Sequence, residues 1–515
     1  MNEIRHHLLT GLETFAARTP DAIAVEDERG NRITYRRLND FASSMADRLR
    51  DMGVIPGDRV GICLPKSINS LISVLGILKA RAAYVPVDYS APAERNRFIF
   101  TNCQTRVIIT DEPRAAALKS TDTAPAPLLT FPGTATDGVG ASWLSATTPA
   151  PVKDPASADN LAYILYTSGS TGVPKGVMHT QASAMSFVNW AIETFQPTSS
   201  DRFSSHAPFH FDLSILDIYV PFSAGATLVL VGEELGKDPV RLAPFIADKK
   251  LSVWYSAPSI LALMAQYGKL ETLDFSALRH VLFAGEVFPV KHLRTLRRLW
   301  PGRSFYNLYG PTETNVCTFH RIPEHIDDAR TEPFPIGAVC SNCRDLVIDE
   351  HLQPVPDGAE GVLYIHASGP VMPGYWQQPE MNAKVFHTDA QGQRWYRTGD
   401  VVRRESNGDY IFLGRRDRMV KRRGYRIELG EIEAALYRNA QVKEAAVVAK
   451  GSDEGVSIVA FVVGAGEKLS MVAMKVFSAA NLPAYMIPDR FVFMEALPRT
   501  STDKVDYQAL TRQIP

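Results

Sequence analysis

Residues 166–176 read YTSGSTGVPKG and concentrate glycines and hydroxyl side chains more densely than any other stretch of the chain. Glycines let a backbone approach a ligand closely, hydroxyls can donate to phosphate oxygens, and a lysine adds a mobile positive charge. These features come from Thr167, Ser168, Gly169, Ser170, Thr171, Gly172, Lys175 and Gly176. The composition predicts a phosphate-binding loop, and a solvated Gly/Ser turn is the alternative. The loop is not a Walker A motif, because Pro174 precedes Lys175 where that motif has glycine.

Apolar strands and amphipathic helices alternate on both sides of this loop. The run 161–166 is typical of a buried strand, so the loop is expected to begin at a strand end. In the first hundred residues, strand-like AIAVED and RVGICL alternate with helical patterns such as TYRRLNDFASSMADRLRDMG, and the alternation returns over residues 181–300. This pattern predicts an α/β fold with parallel sheets covered by helices.

Three other regions differ from these in composition and hydrophobic pattern. Residues 114–159 are rich in Ala, Thr, Pro and Gly, which predicts surface loops without binding chemistry. Beyond residue 330, the segments RDLVIDE, GVLYIHA and YIFLG are separated by turn residues, which predicts a smaller β-rich subdomain. From residue 417 onwards, a strand or turn leads into an amphipathic helix and two apolar runs, which predicts a separate small α+β domain.

Composition narrows the class of protein. The chain has 515 residues and a net charge of −1, so bulk electrostatics give no support for binding nucleic acid or a membrane surface. No stretch approaches the ~20 apolar residues of a membrane span, and residues 1–15 do not resemble a signal peptide, so a cytoplasmic location is expected. Five cysteines do not form a disulfide framework. Cys340 and Cys343 form a lone CxxC, for which free thiols are favoured and metal or redox use is the alternative.

Five further stretches carry a family resemblance. They are HFDLS at 210–214, NLYGPTE at 307–313, GYW at 374–376, YRTGD at 396–400 and GRRDRMVKRRGYRIELGEIE at 414–433. In this order and at these separations they resemble the core motifs of adenylate-forming enzymes, specifically the amino-acid adenylation domains of nonribosomal peptide assembly. The resemblance implies a large N-terminal domain of stacked βα sheets with a β-rich subdomain over residues 1–416. It also implies a small, mobile α+β C-terminal domain over residues 417–515.

The resemblance also implies an ATP site and a reaction. A carboxylate is a poor electrophile, so it is first joined to AMP as a mixed anhydride, with release of pyrophosphate. The glycine-rich loop would hold the β- and γ-phosphates, Asp400 the ribose, and Thr312 and Glu313 the α-phosphate and Mg²⁺. The remaining implied nucleotide contacts are Asn307 at the adenine edge, Tyr309 at the adenine face, Leu308 and Arg415.

Lys504 lies where the family carries its catalytic lysine, which acts on charge that develops between the substrate carboxylate and the α-phosphate. Asp503 departs from the family, which usually has glycine before this lysine, and it lacks the backbone freedom of glycine. Asp417 resembles the hinge about which the C-terminal domain rotates between two half-reactions. Gly424 would face the incoming pantetheine arm. The basic run 415–423 is interpreted either as a solvated face or as a docking surface for an acidic carrier protein.

The implied substrate pocket is apolar apart from one carboxylate. Asp212 follows Phe211 where amino-acid adenylation domains carry the aspartate that pairs with the substrate's amino group, and a buried carboxylate requires such a cation. The other implied wall positions are Leu213, Leu216, Ser259, Leu282, Ala284, Leu308, Val316 and Cys317. Tyr255 is the alternative to Ser259. The leucine-rich pattern resembles that of L-prolyl carrier-protein ligases, which favours L-proline or another small aliphatic amino acid.

The resemblance therefore predicts a ligase that transfers an aminoacyl group to the phosphopantetheine thiol of a peptidyl carrier protein. Because the sequence shows no carrier domain, the partner is expected to be a stand-alone protein. Two alternatives remain. The first is an acyl- or aryl-CoA ligase on the same scaffold, against which Asp212 argues. The second is a catalytically silent nucleotide-binding relative, against which Lys175, Glu313, Asp400 and Lys504 argue.

Overall fold

The computed structural model describes residues 7–119, 124–136, 138–140, 144, 157–169, 173–415, 418–452, 455–466, 469–499 and 505–514. Six of the residues singled out from the sequence lie outside these ranges: Ser170, Thr171, Gly172, Asp417, Asp503 and Lys504. The rest can be placed in the fold.

The strands are numbered in chain order. They are β1 (Ile23–Glu26), β2 (Arg32–Thr34), β3 (Arg59–Cys63), β4 (Ala83–Pro86), β5 (Val107–Asp111), β6 (Leu128–Phe131), β7 (Leu161–Thr167), β8 (Lys175–Thr180), β9 (Arg202–Ser205), β10 (Thr227–Leu230), β11 (Val253–Ser256), β12 (His280–Ala284), β13 (Ser304–Tyr309), β14 (Thr318–Ile322), β15 (Ala338–Val339), β16 (Asp345–Ile348), β17 (Glu360–His366), β18 (Phe386–Thr388), β19 (Arg394–Arg404), β20 (Tyr410–Arg415), β21 (Met419–Arg422), β22 (Tyr425–Glu428), β23 (Val442–Ser452), β24 (Gly455–Gly464) and β25 (Arg490–Met494).

The α-helices follow the same convention. They are α1 (Thr10–Arg18), α2 (Tyr35–Asp51), α3 (Ile68–Lys79), α4 (Ala93–Asn102), α5 (Glu112–Leu118), α6 (Gln181–Phe195), α7 (Leu213–Ala224), α8 (Glu233–Gly236), α9 (Pro239–Asp248), α10 (Pro258–Tyr267), α11 (Val290–Leu299), α12 (Pro379–Val385), α13 (Leu429–Leu436), α14 (Met471–Asn481) and α15 (Tyr507–Arg512). Two 3₁₀ helices span Leu270–Thr272 and Ala484–Met486.

Two large sheets confirm the α/β class. The first has the order β15-β14-β13-β12-β11-β9-β10-β1-β2, and the second has the order β6-β5-β3-β4-β7-β8. Their central pairs are parallel, for example β11 with β12 and β3 with β5, while β7–β8 is antiparallel. Parallel pairing follows from the βα alternation, because each helix returns the chain to the same end of the sheet.

Three smaller sheets follow in the chain. Strands β16 to β20 form an antiparallel sheet of the order β16-β17-β19-β18, with β20 on β19, which is the β-rich subdomain predicted beyond residue 330. Strands β21 and β22 form a hairpin, and β23-β24-β25 form the last sheet. Two hydrophobic clusters draw all their members from residues 420–514, one around Ile432 and Val447 and one around Phe461 and Leu510. The boundary between residues 416 and 417 stays a prediction, since both lie outside the described ranges.

One region differs from its prediction. Residues 114–159 were expected to carry surface loops, but helix α5 (Glu112–Leu118) covers the start of this region, and Leu128–Phe131 forms strand β6, which pairs in parallel with β5. Leu129 and Phe131 are buried, so burial outweighs the flanking turn-forming composition. Within the described residues, no helix is both long and apolar enough to cross a membrane.

Local sequence explains how the site-forming helices begin. Helix α6 begins after Thr180, whose hydroxyl accepts from the Ser183 N–H. The Ser183 hydroxyl in turn accepts from the Thr180 N–H. Helix α7 begins at Leu213, directly after Asp212, and ends at Ala224; the next residue, Gly225, has a φ of +72°, which suits glycine. Almost all of α7 is buried, so Asp212 is carried on a rigid element at the edge of the core.

Candidate active site

A cavity lies where the loops after several parallel strands meet the hairpin β21–β22. Carboxyl ends of parallel strands share one edge of a sheet, which is where α/β folds usually bind ligands. The described residues that line it are Tyr166, Thr167, Ser168, Phe187, His210, Phe211, Asp212, Leu213, Tyr255, Ala284, Gly285, Gly310, Pro311, Thr312, Asn315, Val316, Asp400, Arg415, Met419, Lys421, Gly424, Tyr425, Arg426 and Tyr485. The cavity therefore collects residues from most of the motifs found in the sequence.

The first part of the glycine-rich loop reaches this cavity from the end of β7. Thr167 and Ser168 line the cavity, and Gly169 follows them. A side chain at Gly169 would put its Cβ 1.9 Å from the carbonyl oxygen of Val173, so the two arms of the loop can approach only because this residue is glycine. Lys175 begins the returning strand β8 and is buried.

Glu313 is the centre of a buried charge network. Its carboxylate lies 3.8 Å from the ammonium of Lys175 and accepts a hydrogen bond of 2.5 Å from the hydroxyl of Tyr375. Arg426 donates from one nitrogen to both carboxylate oxygens at 2.9 Å. Burial alone would raise the pKa of Glu313, but the charges of Arg426 and Lys175 lower it to about 2. Burial also lowers the pKa of Lys175 to about 8.

The donor set at Glu313 suits a hard cation held jointly with phosphate. No group of three or more His, Cys, Asp or Glu that could hold a metal occurs in the part of the chain that the structure describes. Mg²⁺ usually binds through one or two carboxylates plus substrate phosphates rather than in an all-protein cage. A single buried carboxylate beside the phosphate loop fits that mode.

His179 fixes the segment that carries Thr312 and Glu313, a role that was not predicted. Its ring Nε2 lies 2.8 Å from the carbonyl oxygen of Thr312, and its Nδ1 lies 3.1 Å from the hydroxyl of Ser183. Burial lowers the pKa of His179 to about 4, so the ring is neutral at pH 7. Its position four residues after Lys175, on a strand beside the loop, was the signal available in the sequence.

Asp400 and its neighbours form the opposite end of the cavity. The hydroxyl of Tyr309 and the guanidinium of Arg415 both donate to the Asp400 carboxylate. The ammonium of Lys421 lies 5.7 Å from the centre of the Tyr309 ring. Asn307 donates from its side-chain nitrogen to the carbonyl oxygen of Pro335 at 2.8 Å. Tyr309, Arg415 and Lys421 are thus grouped at Asp400, whereas the described side-chain bond of Asn307 goes to Pro335, and Asn307 and Tyr309 are not among the lining residues.

Half of the predicted substrate wall lines the cavity. Phe211, Asp212, Leu213, Ala284 and Val316 do so. The others among the predicted wall residues lie behind the described lining, and four of them are at most 1% exposed: Leu216, Leu282, Leu308 and Cys317. Burial raises the pKa of Asp212 above its usual range.

Ser259 does not line the cavity, whereas Tyr255, the alternative to it in the sequence, does. Tyr255, on β11, lines the cavity. Ser259 lies in the first turn of α10; its backbone N–H donates to Glu286 at 3.1 Å, and its hydroxyl has no hydrogen-bond partner among the described residues. The structure thus places Tyr255 rather than Ser259 on the wall. Tyr255 lies in β11 and Ser259 in α10, with only Ala257 between the two elements, and the sequence alignment across this short junction did not separate the two positions.

The hairpin β21–β22 closes the cavity from the C-terminal side. Gly424 has a φ of +80°, and a Cβ there would lie 3.2 Å from the Cβ of Ala257, so glycine suits both the turn and the space. Its N–H donates to Glu286 at 2.9 Å. Tyr425 packs edge-on against Phe211, with ring centres 4.5 Å apart.

The basic run proves to have internal partners. Arg415 pairs with Asp400, Arg418 with Glu433 at 2.6 Å, and Arg422 with Asp489 at 2.5 Å. Lys421 points into the cavity, where burial lowers its pKa. These four side chains are therefore not free for docking, whereas Arg423 is exposed and Arg416 lies outside the described residues, so a docking role for the rest of the run stays a prediction.

Two family models match the chain. The model described as AMP-binding enzyme matches residues 12–376, and the model described as AMP-binding enzyme C-terminal domain matches residues 431–504. The chain belongs to the AMP-binding enzyme family. The predicted membership is confirmed, and enzymes of this family use ATP.

Curated relatives and the solved structure of a similar protein agree with the match. An L-proline--[L-prolyl-carrier protein] ligase of Pseudomonas fluorescens is 39% identical, over 97% of both chains. A ligase of the same name from Streptomyces coelicolor is 38% identical, over 94% of this chain and 92% of its own. The Vibrio cholerae adenylation domain AlmE, solved with glycyl-adenosine-5'-phosphate, has a TM-score of 0.86 and 26% identity, over 100% of this chain and 98% of its own.

Proposed function

We propose that this AMP-binding enzyme activates a small apolar amino acid, L-proline, as aminoacyl-AMP and then transfers it to the phosphopantetheine thiol of a peptidyl carrier protein. The observation that carries the proposal is the position of Asp212. Its carboxylate is at the edge of an otherwise apolar wall, in the same cavity as Thr312, Lys421 and Asp400. The charge of Lys421 acts on both Asp212 and Asp400, so this one cation is shared between two carboxylates. Such a carboxylate needs a cationic partner, and the amino group of an amino acid supplies one.

In the first half-reaction, a carboxylate oxygen of the amino acid attacks the α-phosphorus of ATP, and the bond to the leaving pyrophosphate breaks. We assign the phosphates to the loop that includes Thr167, Ser168 and Lys175, and the ribose to Asp400. Mg²⁺, held by Glu313, would neutralise phosphate charge when bound. Lys504, which lies outside the described residues, is assigned to the charge that develops on the reacting oxygens.

In the second half-reaction, the carrier's thiol attacks the acyl carbon and AMP leaves. We assign the pantetheine entry to the turn at Gly424, where the absence of a side chain leaves space beside Ala257. The acceptor is supported by the two ligases, whose names identify an L-prolyl-carrier protein. We extend the proposal to a carrier protein that is a separate polypeptide, and adding such a protein in trans tests that part.

The proposal is tested by amino-acid-dependent ATP–pyrophosphate exchange over a panel of substrates. L-Proline is expected to give the highest exchange rate. Aspartate, glutamate, lysine and arginine are expected to give little, because their charges would find no partner on the apolar wall. If another small aliphatic amino acid exceeds proline, only the proline assignment fails. If no amino acid supports exchange, the proposed function fails.

The alternatives make different demands on the same cavity. An acyl- or aryl-CoA ligase would leave Asp212 facing a substrate without an amine. A silent relative would have no need of the paired Lys175 and Glu313 beside the phosphate loop, which lie 3.8 Å apart. Exchange with a carboxylic acid that has no amine would favour the acyl- or aryl-CoA ligase. Absence of exchange with every compound tested would favour the silent relative.

A further inference from the structure

The GYW segment, residues 374–376, runs alongside strand β8, which begins at the lysine of the phosphate loop. The N–H of Trp376 donates to the carbonyl oxygen of Gly176 at 2.8 Å, and Tyr375 forms an antiparallel bridge with Val177. The backbone of the motif is therefore fixed beside the phosphate loop, although the reaction proposed above assigns it no role.

The two aromatic side chains of the motif point in opposite directions, as neighbours in an extended segment do. The indole N–H of Trp376 donates to the carbonyl oxygen of Asn102 at 3.0 Å, and the guanidinium of Arg59 lies 4.8 Å from the Trp376 ring centre. The side chain of Asn382 accepts from the N–H of Tyr375 at 2.8 Å and donates to its carbonyl oxygen at 3.2 Å. Tyr375 is 2% exposed, so its ring is directed into the core.

The hydroxyl of Tyr375 contacts the two charged groups that the proposed reaction places at the triphosphate. It donates to a carboxylate oxygen of Glu313 at 2.5 Å and accepts from the ammonium of Lys175 at 3.4 Å. The same ammonium lies 4.9 Å from the centre of the Tyr375 ring, within the range of a cation–π contact. Burial raises the pKa of Tyr375 well above its usual range, so the hydroxyl keeps its proton at neutral pH.

Lys175 and Glu313 are close but do not form a direct hydrogen bond. Their charged atoms lie 3.8 Å apart, and the two side chains are 9% and 0% exposed. Charges buried this deeply attract each other strongly, and a closed lysine–carboxylate pair has a separation of about 2.8 Å. Arg426 bonds the same carboxylate at 2.9 Å and is itself charged, so Tyr375 supplies a neutral group in contact with both members of the pair.

A closed pair would conflict with the binding of ATP. The lysine would donate to the carboxylate instead of to a phosphate oxygen, and the carboxylate oxygen would face an ammonium instead of Mg²⁺. Opening such a pair for each nucleotide would lower the affinity, because buried charges are costly to separate. A hydroxyl that bonds both groups satisfies them while the pair stays open.

We propose that Tyr375 is a positioning residue for the triphosphate and its metal. Its hydroxyl keeps Lys175 and Glu313 from closing into a direct ion pair, so that the lysine can bind a phosphate group and the carboxylate can bind Mg²⁺. The inference rests on the proposed function, because it takes the positions of the phosphates and of Mg²⁺ from it.

The first test measures the binding of Mg·ATP and of AMP by calorimetry, with no amino acid present. Tyr375→Phe keeps the ring beside Lys175 and removes only the hydroxyl. The Kd of Mg·ATP is expected to rise about tenfold, as is usual when a group that orients a metal ligand is lost. The Kd of AMP is expected to stay unchanged, because AMP lacks the β- and γ-phosphates.

Two results of this test would overturn the inference. One is a Kd of Mg·ATP within about twofold of the wild type, which is the error of such comparisons. The other is an equal weakening of AMP and Mg·ATP, which would indicate a general distortion of the cavity.

Tyr410→Phe is the matched control for the loss of a buried tyrosine hydroxyl. Tyr410 belongs to the same hydrophobic cluster as Tyr375, but its hydroxyl donates to Asp345 and it does not line the cavity. Both Kd values are expected to equal those of the wild type. A tenfold weaker Mg·ATP complex in this variant also would remove the special role of Tyr375.

A double-mutant cycle separates positioning from a merely structural role. With Glu313→Gln there is no ion pair to keep open, so adding Tyr375→Phe is expected to change the Kd of Mg·ATP by less than about twofold. If the hydroxyl only stabilises the fold, its removal has the same effect in both backgrounds. A tenfold effect that persists in Glu313→Gln would therefore contradict the proposal.

Asn382→Ala covers the case in which Tyr375→Phe fails to fold. It removes the two hydrogen bonds that hold the backbone of Tyr375 and leaves every side chain in the cavity unchanged. The Kd of Mg·ATP is expected to rise about threefold with no change for AMP, and an unchanged Mg·ATP Kd would then overturn the inference. Failure of the proposed function is seen separately, since it would abolish exchange with every amino acid yet leave these binding comparisons intact.

Discussion

Asp212 gives the sharpest test at the scale of single residues. If it pairs with an amine, L-proline should support ATP–pyrophosphate exchange and cyclopentanecarboxylate, which has nearly the same ring but no amine, should not. With the analogue bound, the carboxylate would be buried against carbon, which we expect to cost roughly a thousandfold in specificity. Both compounds are compared by their exchange rates at subsaturating concentration.

Two substitutions of Asp212 serve as controls. Asp212→Ala and the nearly isosteric Asp212→Asn should both lower exchange with proline and narrow the gap between the two compounds. Equal use of the analogue and proline by the wild type would contradict the amino-acid assignment and support the acyl-ligase alternative.

At the scale of elements, strand β1 is joined to its neighbours through one buried carboxylate. Glu26 accepts from Lys249 at 2.5 Å and from Arg202 at 2.9 Å, and it lies 3.3 Å from Arg32. Burial would raise the pKa of Glu26, but the hydrogen bonds from these three cations lower it to about 2. This residue thus connects the edge of the nine-stranded sheet to β9 and to the end of α9.

Glu26→Gln is expected to lower the thermal-unfolding midpoint by about 3 °C at pH 7, because three cations lose their counter-ion. Since the folded pKa of Glu26 lies below the usual 4.5, its stabilising effect is complete above pH 4.5 and is lost as the pH falls towards 2. The difference between the two proteins should therefore shrink on acidification. Asp21→Asn, in an exposed pair with Arg36, is the control and should change little. A pH-independent difference would argue against the ionic origin.

At the scale of the whole molecule, one cavity has to serve two reactions. The hairpin β21–β22 lies in that cavity, while Lys504 and the proposed hinge Asp417 lie outside the described residues. Asp417→Pro should restrict rotation at the hinge and impair thioester formation while leaving ATP–pyrophosphate exchange largely intact. The two half-reactions are measured separately, by exchange and by loading of a carrier protein.

Asp417→Gly is the matched variant, because it removes the same side chain but keeps backbone freedom. It should load the carrier better than the proline variant does. Equal loss of both half-reactions in Asp417→Pro would count against a hinge and would indicate a folding defect.

Local pattern explains what could be predicted from the sequence. Helical periodicity in the sequence predicts helices near residues 182–194, 260–267 and 290–300, and α6, α10 and α11 begin and end close to these positions, because such periodicity acts over a few residues. Strand β6 was missed because its burial depends on pairing with β5, which the local composition of Ala, Thr and Pro does not reveal. The motifs predicted some of the residues that line the cavity, such as Thr167, Asp212 and Thr312, since they lie near strand ends that a parallel sheet brings to one edge.

The sequence by itself determined the family, the α/β class and the chemical types around the site. Only the tertiary structure decided which side chains reach the cavity and which stand behind it. Tyr255 lines it while Leu282, its neighbour on the next strand, does not. Arg426 looked like part of a basic run, yet it is buried against Glu313, 113 residues away in sequence. Tyr255 and Leu282 are paired on one face of the sheet, so alternation along a strand does not separate them. Which of the two reaches the cavity, like a partner 113 residues away, is fixed only by the packing of whole elements and could not be obtained from local pattern.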